Sequence, residues 1–150
     1  MLNIKNTQRK FKINIDKISL DVKKILSLLN YQEFDLGIWF TTNKTIRYYN
    51  KKYRFKDKAT DVLSFQYHTE LKAGKKIKAK TEEDKNLGDL IISIEYTALE
   101  AKKRSVDLET HLQKLIVHGI CHLLGYDHIE DQDWRRMRAK EGWLLKNLRK

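Results

Sequence analysis

Apolar residues recur along this chain at two spacings, every second position in some stretches and every third or fourth position in others. The first spacing is typical of strands, and the second is typical of helices with one buried face. The pattern predicts four strands, at Leu2–Asn6, Asp35–Thr42, Ala59–Tyr67 and Leu90–Ile94. It also predicts five helices, which begin near Asp16, Thr42, Ser93, Asp107 and Asp131.

Polar residues that commonly cap helices stand at each predicted helix start. The candidate caps are, in chain order, Asp16 or Ser19, Thr42 or Asn43, Ser93, Asp107, and Asp131 or Asp133. The first helix is expected to extend to about Asn30. The second is expected to extend to about Tyr53, with Ile46, Tyr49 and Tyr53 on its inward face.

The interleaving of strands and helices predicts an α+β (α/β mixed) fold, in which helices pack on a small mixed sheet of about four strands. The length is that of one domain, so residues 1–150 are expected to form a single unit. The segment from His68 to Asn86 is rich in lysine and poor in apolar residues, and we predict a mobile loop there. The alternative is an ordered hairpin extension between two neighbouring strands.

Three histidines, His118, His122 and His128, follow one another at intervals of four and six residues. On a helix the first two lie on one face, about 6 Å apart along the axis. Gly125 stands where a glycine can end the helix and turn the chain back toward His128. Three neutral imidazoles with a fourth position open are typical of catalytic zinc, because structural zinc usually has four protein ligands. The alternative is three ordinary histidines on a packed helix.

The same spacing, His-x-x-x-His-x-x-Gly-x-x-His, is that of the metzincin proteases. Gly119, however, occupies the position of their glutamate general base. A metalloprotease or another metal hydrolase is therefore one alternative, with the right ligands but without the group that activates water against an amide. Cys121 is the only cysteine, and we predict a buried small side chain rather than a ligand. A single cysteine also fits a reducing compartment.

The formal net charge of +11 favours a polyanionic partner, of which nucleic acid is the commonest. Seven basic residues and one acid, Asp57, lie at positions 44–58, and seven basic residues and one acid, Glu141, lie at positions 135–150. A solvated helix face is the plainer explanation for the first group. No stretch approaches the roughly 20 apolar residues of a membrane span. The basic start lacks the apolar core of a signal peptide, so we expect a cytoplasmic protein without a membrane partner.

Three stretches of the chain are more specific when taken together: Asn50 to Phe65 (NKKYRFKDKATDVLSF), Leu87-Gly88-Asp89, and His118 to His128 (HGICHLLGYDH). They resemble the YbeY family, bacterial metal-dependent endoribonucleases of ribosomal RNA maturation. The last helix, with Met137 and Glu141, is also similar to that of the family. Gly119 is the family's own residue, which favours this family over the proteases. Ala59 and Cys121 replace the family's usual proline and leucine, and neither is a predicted ligand.

The resemblance implies a zinc-dependent endoribonuclease specific for single strands. It would act in ribosomal RNA processing at the 3′ end of 16S RNA and in ribosome quality control, with RNA and the ribosome or its proteins as partners. By resemblance, His118, His122 and His128 hold one Zn²⁺ per chain, for which nickel or another divalent ion can substitute. Arg54 matches the family's arginine beside the metal cleft. Arg54 and His118 are the predicted catalytic residues. Three lysines near Arg54 are predicted phosphate contacts: Lys51, Lys52 and Lys56.

Tyr126 and Asp127 are predicted to support the metal ligands as part of the turn. No residue is identified as the general base, so metal-activated water and the RNA's own 2′-hydroxyl both remain open as nucleophile. A non-catalytic ribosome-binding factor that uses zinc only for structure would also explain the basic surface.

Overall fold

The computed structural model describes residues 1–150 and contains four strands and five helices. The strands are β1 (Leu2–Asn6), β2 (Asp35–Thr41), β3 (Val62–Gln66) and β4 (Asn86–Ser93). The helices are α1 (Ile15–Leu28), α2 (Asn43–Arg54), α3 (Ile94–Lys103), α4 (Leu108–Leu123) and α5 (Asp131–Leu148). None of these helices combines the length and the apolar composition needed to span a bilayer.

The strands form one mixed sheet in the order β1-β2-β4-β3. β2 is parallel to both β1 and β4, and β3 is antiparallel to β4. The predicted α+β fold with a small mixed sheet of four strands is therefore confirmed. Successive side chains of a strand point to opposite faces. Along β4, Leu90 and Ile92 accordingly belong to the main core, whereas Ile91 belongs to a small cluster on the other face.

The main core lies between one face of the sheet and the helices α1, α4 and α5. Phe40 of β2, Leu90 of β4 and Ile120 of α4 are fully buried in it. On the other face, Ile46 of α2 packs with Leu63 and Ile91 in a cluster of three buried residues. α4 therefore lies directly against the sheet, and its buried face determines where its histidines stand.

Three of the predicted caps are confirmed, since the side chains of Thr42, Ser93 and Asp107 each accept a backbone N–H in the first turn of α2, α3 and α4. The prediction for α1 is wrong. Its cap is Asn14, whose side chain accepts the N–H of Lys17 at 3.1 Å, and not Asp16 or Ser19. All three residue types can cap a helix, and the contact that decides between them is absent from the sequence pattern.

The cap of α5 and the end of α1 also differ from the predictions. α5 follows Glu130, which makes no side-chain capping bond, and both Asp131 and Asp133 lie inside the first turn. A carboxylate in the first turn interacts favourably with the positive end of the helix dipole, but it does not cap the helix. α1 ends at Leu28 because Asn30, two residues later, adopts a left-handed φ of 63°.

Two strands, β3 and β4, begin at residues other than those that the apolar pattern predicts. β4 begins at Asn86 rather than Leu90, because Asn86 pairs with β2 and both Gly88 and Asp89 pair with β2 and β3. Gly88 has φ 119°, and a Cβ there would collide with the carbonyl oxygen of Phe65, so glycine is required. β3 begins at Val62 rather than Ala59, and just before it the side chain of Asp61 accepts the N–H of Val62 at 2.7 Å.

Three large side chains of the helices are substantially exposed, and one of them, Tyr53, was predicted to face inward. Tyr53, at the end of α2, is 53% exposed, and Trp134 and Trp143 of α5 are 47% and 44% exposed. Helical spacing predicts only a relative direction, and the width of the covered face depends on the neighbouring elements. Met137, Leu144 and Leu148 of α5 are buried.

The segment from His68 to Lys85 connects two adjacent antiparallel strands, so its topology is that of the alternative, a hairpin extension. His68 Nε2 lies 2.7 Å from the carbonyl oxygen of Asp84, near the two ends of the segment. Leu71 and Ile77 pack against the main core, and the N–H of Ile77 donates to the hydroxyl of Tyr31 at 3.1 Å. The mobility of the segment in solution remains a prediction.

Candidate metal centre

α4 brings His118 and His122 together one helical turn apart. Their Nε2 atoms are 3.1 Å apart, and their rings are perpendicular with centroids 4.6 Å apart. The helix lies in this position because Asp107 caps its start and a face that includes Leu112, Ile116 and Ile120 is buried in the main core. Both histidines stand at the edge of that face, partly accessible.

Gly125 turns the chain back so that a third histidine reaches the first two. It has φ 90°, and a Cβ there would collide with the carbonyl oxygen of Leu71 in the β3–β4 segment. After this turn the ring of His128 stacks at 5.9 Å from that of His118 and lies 5.3 Å from that of His122. The expected grouping of the three histidines is therefore observed.

The three histidines could hold a metal ion. One ligand nitrogen from each lies within 4.8 Å of the others. Tetrahedral zinc with Zn–N bonds of about 2.0–2.1 Å separates its nitrogens by about 3.3 Å. The observed 3.1 Å between the Nε2 atoms of His118 and His122 is close to that separation. Imidazole ligands alone do not select zinc over nickel or other divalent ions.

Two hydrogen bonds orient the imidazoles on α4. Nδ1 of His118 lies 2.8 Å from Oε2 of Glu141, and Nδ1 of His122 lies 2.9 Å from the carbonyl oxygen of Tyr126. A carboxylate and a carbonyl can only accept, so each Nδ1 carries the proton and donates. Each Nε2 consequently directs its lone pair at the common centre, as metal-binding histidines do.

Glu141 was not among the residues that the sequence indicated for the site. A signal was present, since Glu141 occupies a position on the apolar stripe of α5, four residues after Met137 and three before Leu144. A carboxylate on a buried stripe normally has a partner. Its partner is His118 on α4, which the sequence of α5 cannot reveal.

Burial affects the titration of two residues at the centre. It lowers the pKa of His122 to about 4, with the neighbouring His118 and His128 acting in the same direction. His122 is thus neutral, as a metal ligand must be, down to mildly acidic pH. Burial raises the pKa of Cys121 to about 12. Cys121 is fully buried in the main core, which agrees with the prediction of a small apolar side chain.

Gly119 explains why the glutamate of the metzincin motif is absent. A Cβ at this position would lie 2.9 Å from Cδ2 of Leu90, a fully buried residue of β4. The helix therefore packs against the sheet at closer range than any larger side chain would allow. A glutamate at position 119 would face the core and not the metal.

Arg54 and the three histidines line one cavity of about 850 Å³. Arg54 ends α2, and Phe55 follows it in a left-handed conformation with φ 60°. The two α2 cations that pair with Asp57 are Arg47 and Lys51, so Arg54 is not held by that carboxylate. The guanidinium therefore remains available to an anionic ligand of the cavity.

β3 also lines this cavity, which we call the histidine cavity. Ser64 donates its hydroxyl to the carbonyl oxygen of Gly119 at 3.4 Å, and Gln66 donates its amide to that of Leu123 at 3.3 Å. Asp61, just before β3, lines the cavity as well, and sequence reasoning did not identify it. These bonds tie β3 to α4 along the histidine cavity.

The remaining predicted residues divide into two groups. Tyr126 and Asp127 line the histidine cavity, and Oδ1 of Asp127 accepts the N–H of Ile129 at 3.3 Å, within the turn. Burial raises the pKa of Tyr126. Three exposed lysines do not line the cavity: Lys51, Lys52 and Lys56.

Fold and site together define a class of protein, a small α+β chain in which three histidines at the end of a sheet-packed helix could hold a metal ion. Known proteins are similar to this chain over nearly its whole length. The family model described as Endoribonuclease YbeY matches residues 3–149. A human protein named Endoribonuclease YbeY is 37% identical over 98% of this chain and 87% of its own. One from Aquifex aeolicus is 38% identical over 95% of this chain and 89% of its own.

The chain therefore belongs to the Endoribonuclease YbeY family, which confirms the resemblance seen in the sequence. A relative from Caldicellulosiruptor bescii with the same name is 38% identical over 97% of this chain and 95% of its own. The solution structure of TM1509 from Thermotoga maritima covers 99% of this chain and 89% of that protein, with a TM-score of 0.65 and 20% identity. That similarity shows a shared fold.

Proposed function

We propose that this chain is a metal-dependent endoribonuclease that cleaves single-stranded RNA. One observation carries the proposal: in a member of the Endoribonuclease YbeY family, Arg54 lines the same cavity as His118, His122 and His128. A cation that never loses its proton, placed beside a site for a divalent ion, suits a phosphodiester substrate. Residues 1–150 form the hydrolase unit, and zinc is the proposed ion, one per chain.

In the proposed mechanism each residue of the cavity has a separate task. His118, His122 and His128 would hold the ion, which when bound supplies a Lewis acid for a phosphoryl oxygen. Glu141 and the carbonyl oxygen of Tyr126 hold the imidazoles of His118 and His122 in the tautomer that can bind it. Arg54 binds the scissile phosphate and stabilises the charge that develops on it.

The cavity is less suited to peptide hydrolysis. Proteases with the same histidine spacing place a glutamate general base after the first histidine, and here that position is Gly119, where a Cβ would press on Leu90. For RNA, the attacking group is either water or the neighbouring 2′-hydroxyl. Product ends distinguish them, since 2′,3′-cyclic phosphates form only when the 2′-hydroxyl attacks.

We further propose that the substrate is ribosomal RNA, with maturation of the 16S 3′ end and ribosome quality control as the processes served in the cytoplasm. The net charge of +11 supports an RNA-rich partner such as the ribosome. The three lysines outside the histidine cavity would then contact phosphates away from the cleaved bond: Lys51, Lys52 and Lys56.

A charge reversal at Arg54 tests the proposal, with Lys52→Glu as the matched control. Both residues are exposed in the last turn of α2, but only Arg54 lines the histidine cavity. At equal metal content, Arg54→Glu should lower cleavage of a single-stranded ribosomal RNA fragment by about 100-fold or more, because it acts on the transition state. Lys52→Glu should weaken RNA binding modestly and in a salt-dependent way.

Two results would contradict the proposal. Equal losses of RNA cleavage in Arg54→Glu and Lys52→Glu would show that Arg54 contributes only general positive charge. Absence of cleavage by metal-loaded wild type, together with tight binding to ribosomal RNA, would indicate a binding factor and not a nuclease.

A further inference from the structure

Two tryptophans of α5 form a natural pair for comparison, and the proposed chemistry uses neither. Trp134 is 47% exposed and Trp143 is 44% exposed. Each has one cation 4.8 Å from its ring centroid, Arg138 over Trp134 and Lys140 over Trp143. The two indoles are thus nearly equal in exposure, and each has a cation at the same distance. They differ in the rest of their surroundings.

Trp143 lines a cavity of about 390 Å³ between α5 and the β3–β4 segment. Tyr126, Arg136 and Lys140 line it as well, and Gly74 contributes from the segment. We call this space the Trp143 cavity. Tyr126 also lines the histidine cavity, so one residue of the metal turn borders both. Trp134 lines neither cavity.

The net charges around the two indoles differ. Residues 71–81 of the β3–β4 segment include several lysines and no acid. After Asp133, α5 contains only one acid, Glu141, and its carboxylate is bonded to His118. Trp134, in contrast, directly follows three acids in the first turn of the helix and before it: Glu130, Asp131 and Asp133. Those three acids offset the charge of three arginines near Trp134, Arg135, Arg136 and Arg138, so a polyanion is attracted more strongly to the neighbourhood of Trp143.

We propose that the Trp143 cavity binds an unpaired nucleobase of the RNA strand whose backbone passes through the histidine cavity. The indole of Trp143 stacks on the base, and Arg136 and Lys140 contact the adjoining phosphates. The inference rests on the proposed function, which it deepens by adding a substrate subsite and a direction for the strand, from the metal turn toward α5. It also gives a role to the basic run at positions 135–150.

The chemistry of the lining selects this class of ligand. Unpaired bases are recognised by stacking on aromatic side chains, while cations follow the backbone. Bases of a duplex are already stacked on one another and cannot enter such a cavity. The same cavity therefore accounts for a preference for single strands, which the metal centre alone does not provide.

Binding by the metal-loaded protein tests the inference without cleavage. The probe is a labelled DNA single strand of about 12 nucleotides, which offers the same bases and lacks the 2′-hydroxyl. Fluorescence anisotropy should show a dissociation constant about tenfold higher or more for Trp143→Ala, and most of the loss should be recovered in Trp143→Phe. Trp134→Ala, the matched control, should change it by less than about twofold.

Two further measurements separate stacking from charge. Trp143→Ala should keep the wild-type dependence of log K on log salt concentration, whereas Arg136→Gln should reduce its slope by about one. Binding of the corresponding duplex should be the same in Trp143→Ala and wild type.

Equal weakening by Trp134→Ala and Trp143→Ala, or equal weakening of single-strand and duplex binding, would overturn the inference. Its failure is distinguishable from that of the proposed function. Wild type that binds single strands through Trp143 but leaves RNA uncut would refute the nuclease activity alone. Cleavage of RNA with the same KM in wild type and Trp143→Ala would refute the subsite alone.

Discussion

Oε2 of Glu141 lies 2.8 Å from Nδ1 of His118, a contact that joins α5 to the metal helix α4. The bond makes the position of one proposed metal ligand depend on how the last helix packs. It also determines which nitrogen of the imidazole carries the proton, since the carboxylate can only accept.

Glu141→Gln should weaken metal binding by about tenfold or more, because an amide oxygen is a poorer acceptor for the Nδ1–H of His118. Competition with a chelator of known affinity measures the change, and the unfolding midpoint reports whether the fold is intact. Glu130→Gln is the control, since Glu130 precedes the same helix without a capping bond. Equal metal affinity in wild type and Glu141→Gln would show that the contact is not used to orient the ligand.

His118→Ala and His122→Ala should each lose the bound ion, because two remaining imidazoles hold a divalent ion far more weakly than three. Metal analysis of the purified proteins by mass spectrometry provides the measurement. His68→Ala should retain wild-type metal content, since His68 contacts the carbonyl oxygen of Asp84 and lies outside the histidine cavity. Full metal content in both His118→Ala and His122→Ala would refute the centre.

Gly119→Ala should lower the free energy of unfolding by about 1–3 kcal/mol, because the added methyl group meets Leu90 in a fully packed core. Gly142→Ala offers the opposite case within another helix. No atom lies within 4 Å of a Cβ at position 142, so alanine there should stabilise the protein by about 0.5–1 kcal/mol. Urea unfolding compares the two variants, and similar stability in both would show that Leu90 yields without cost.

Limited digestion with trypsin should cut first among the lysines at positions 72–80. The β3–β4 segment that contains them is largely exposed, and Leu71 and Ile77 are the side chains that pack it against the main core. Mass spectrometry of the first fragments identifies the site of cleavage. The lysines of α2 serve as an internal control, because they are equally exposed but helical. First cuts in α2, or a segment as resistant as the core, would show that it is rigid.

The identity and spacing of residues were enough to predict the parts of the structure that depend on local geometry. Four strands, five helices and a mixed sheet follow from hydrophobic periodicity, and Thr42, Ser93 and Asp107 cap helices as predicted. His118 and His122 share a face because they are four residues apart, and Gly125 permits the turn that adds His128.

The parts of the fold and the site that the sequence did not predict depend on contacts between residues distant in sequence. No local pattern contains such contacts. Tertiary packing brings Glu141 to His118 across 23 positions, and places Arg54 on the cavity while leaving Lys51, Lys52 and Lys56 outside it. It also selects Asn14 over two equally suitable caps. The sequence by itself determined which side chains could bind a metal ion and that the chain could fold around them. Only the tertiary structure decided which charged groups reach those side chains, because hydrogen bonds and charge interactions act over a few ångströms in space.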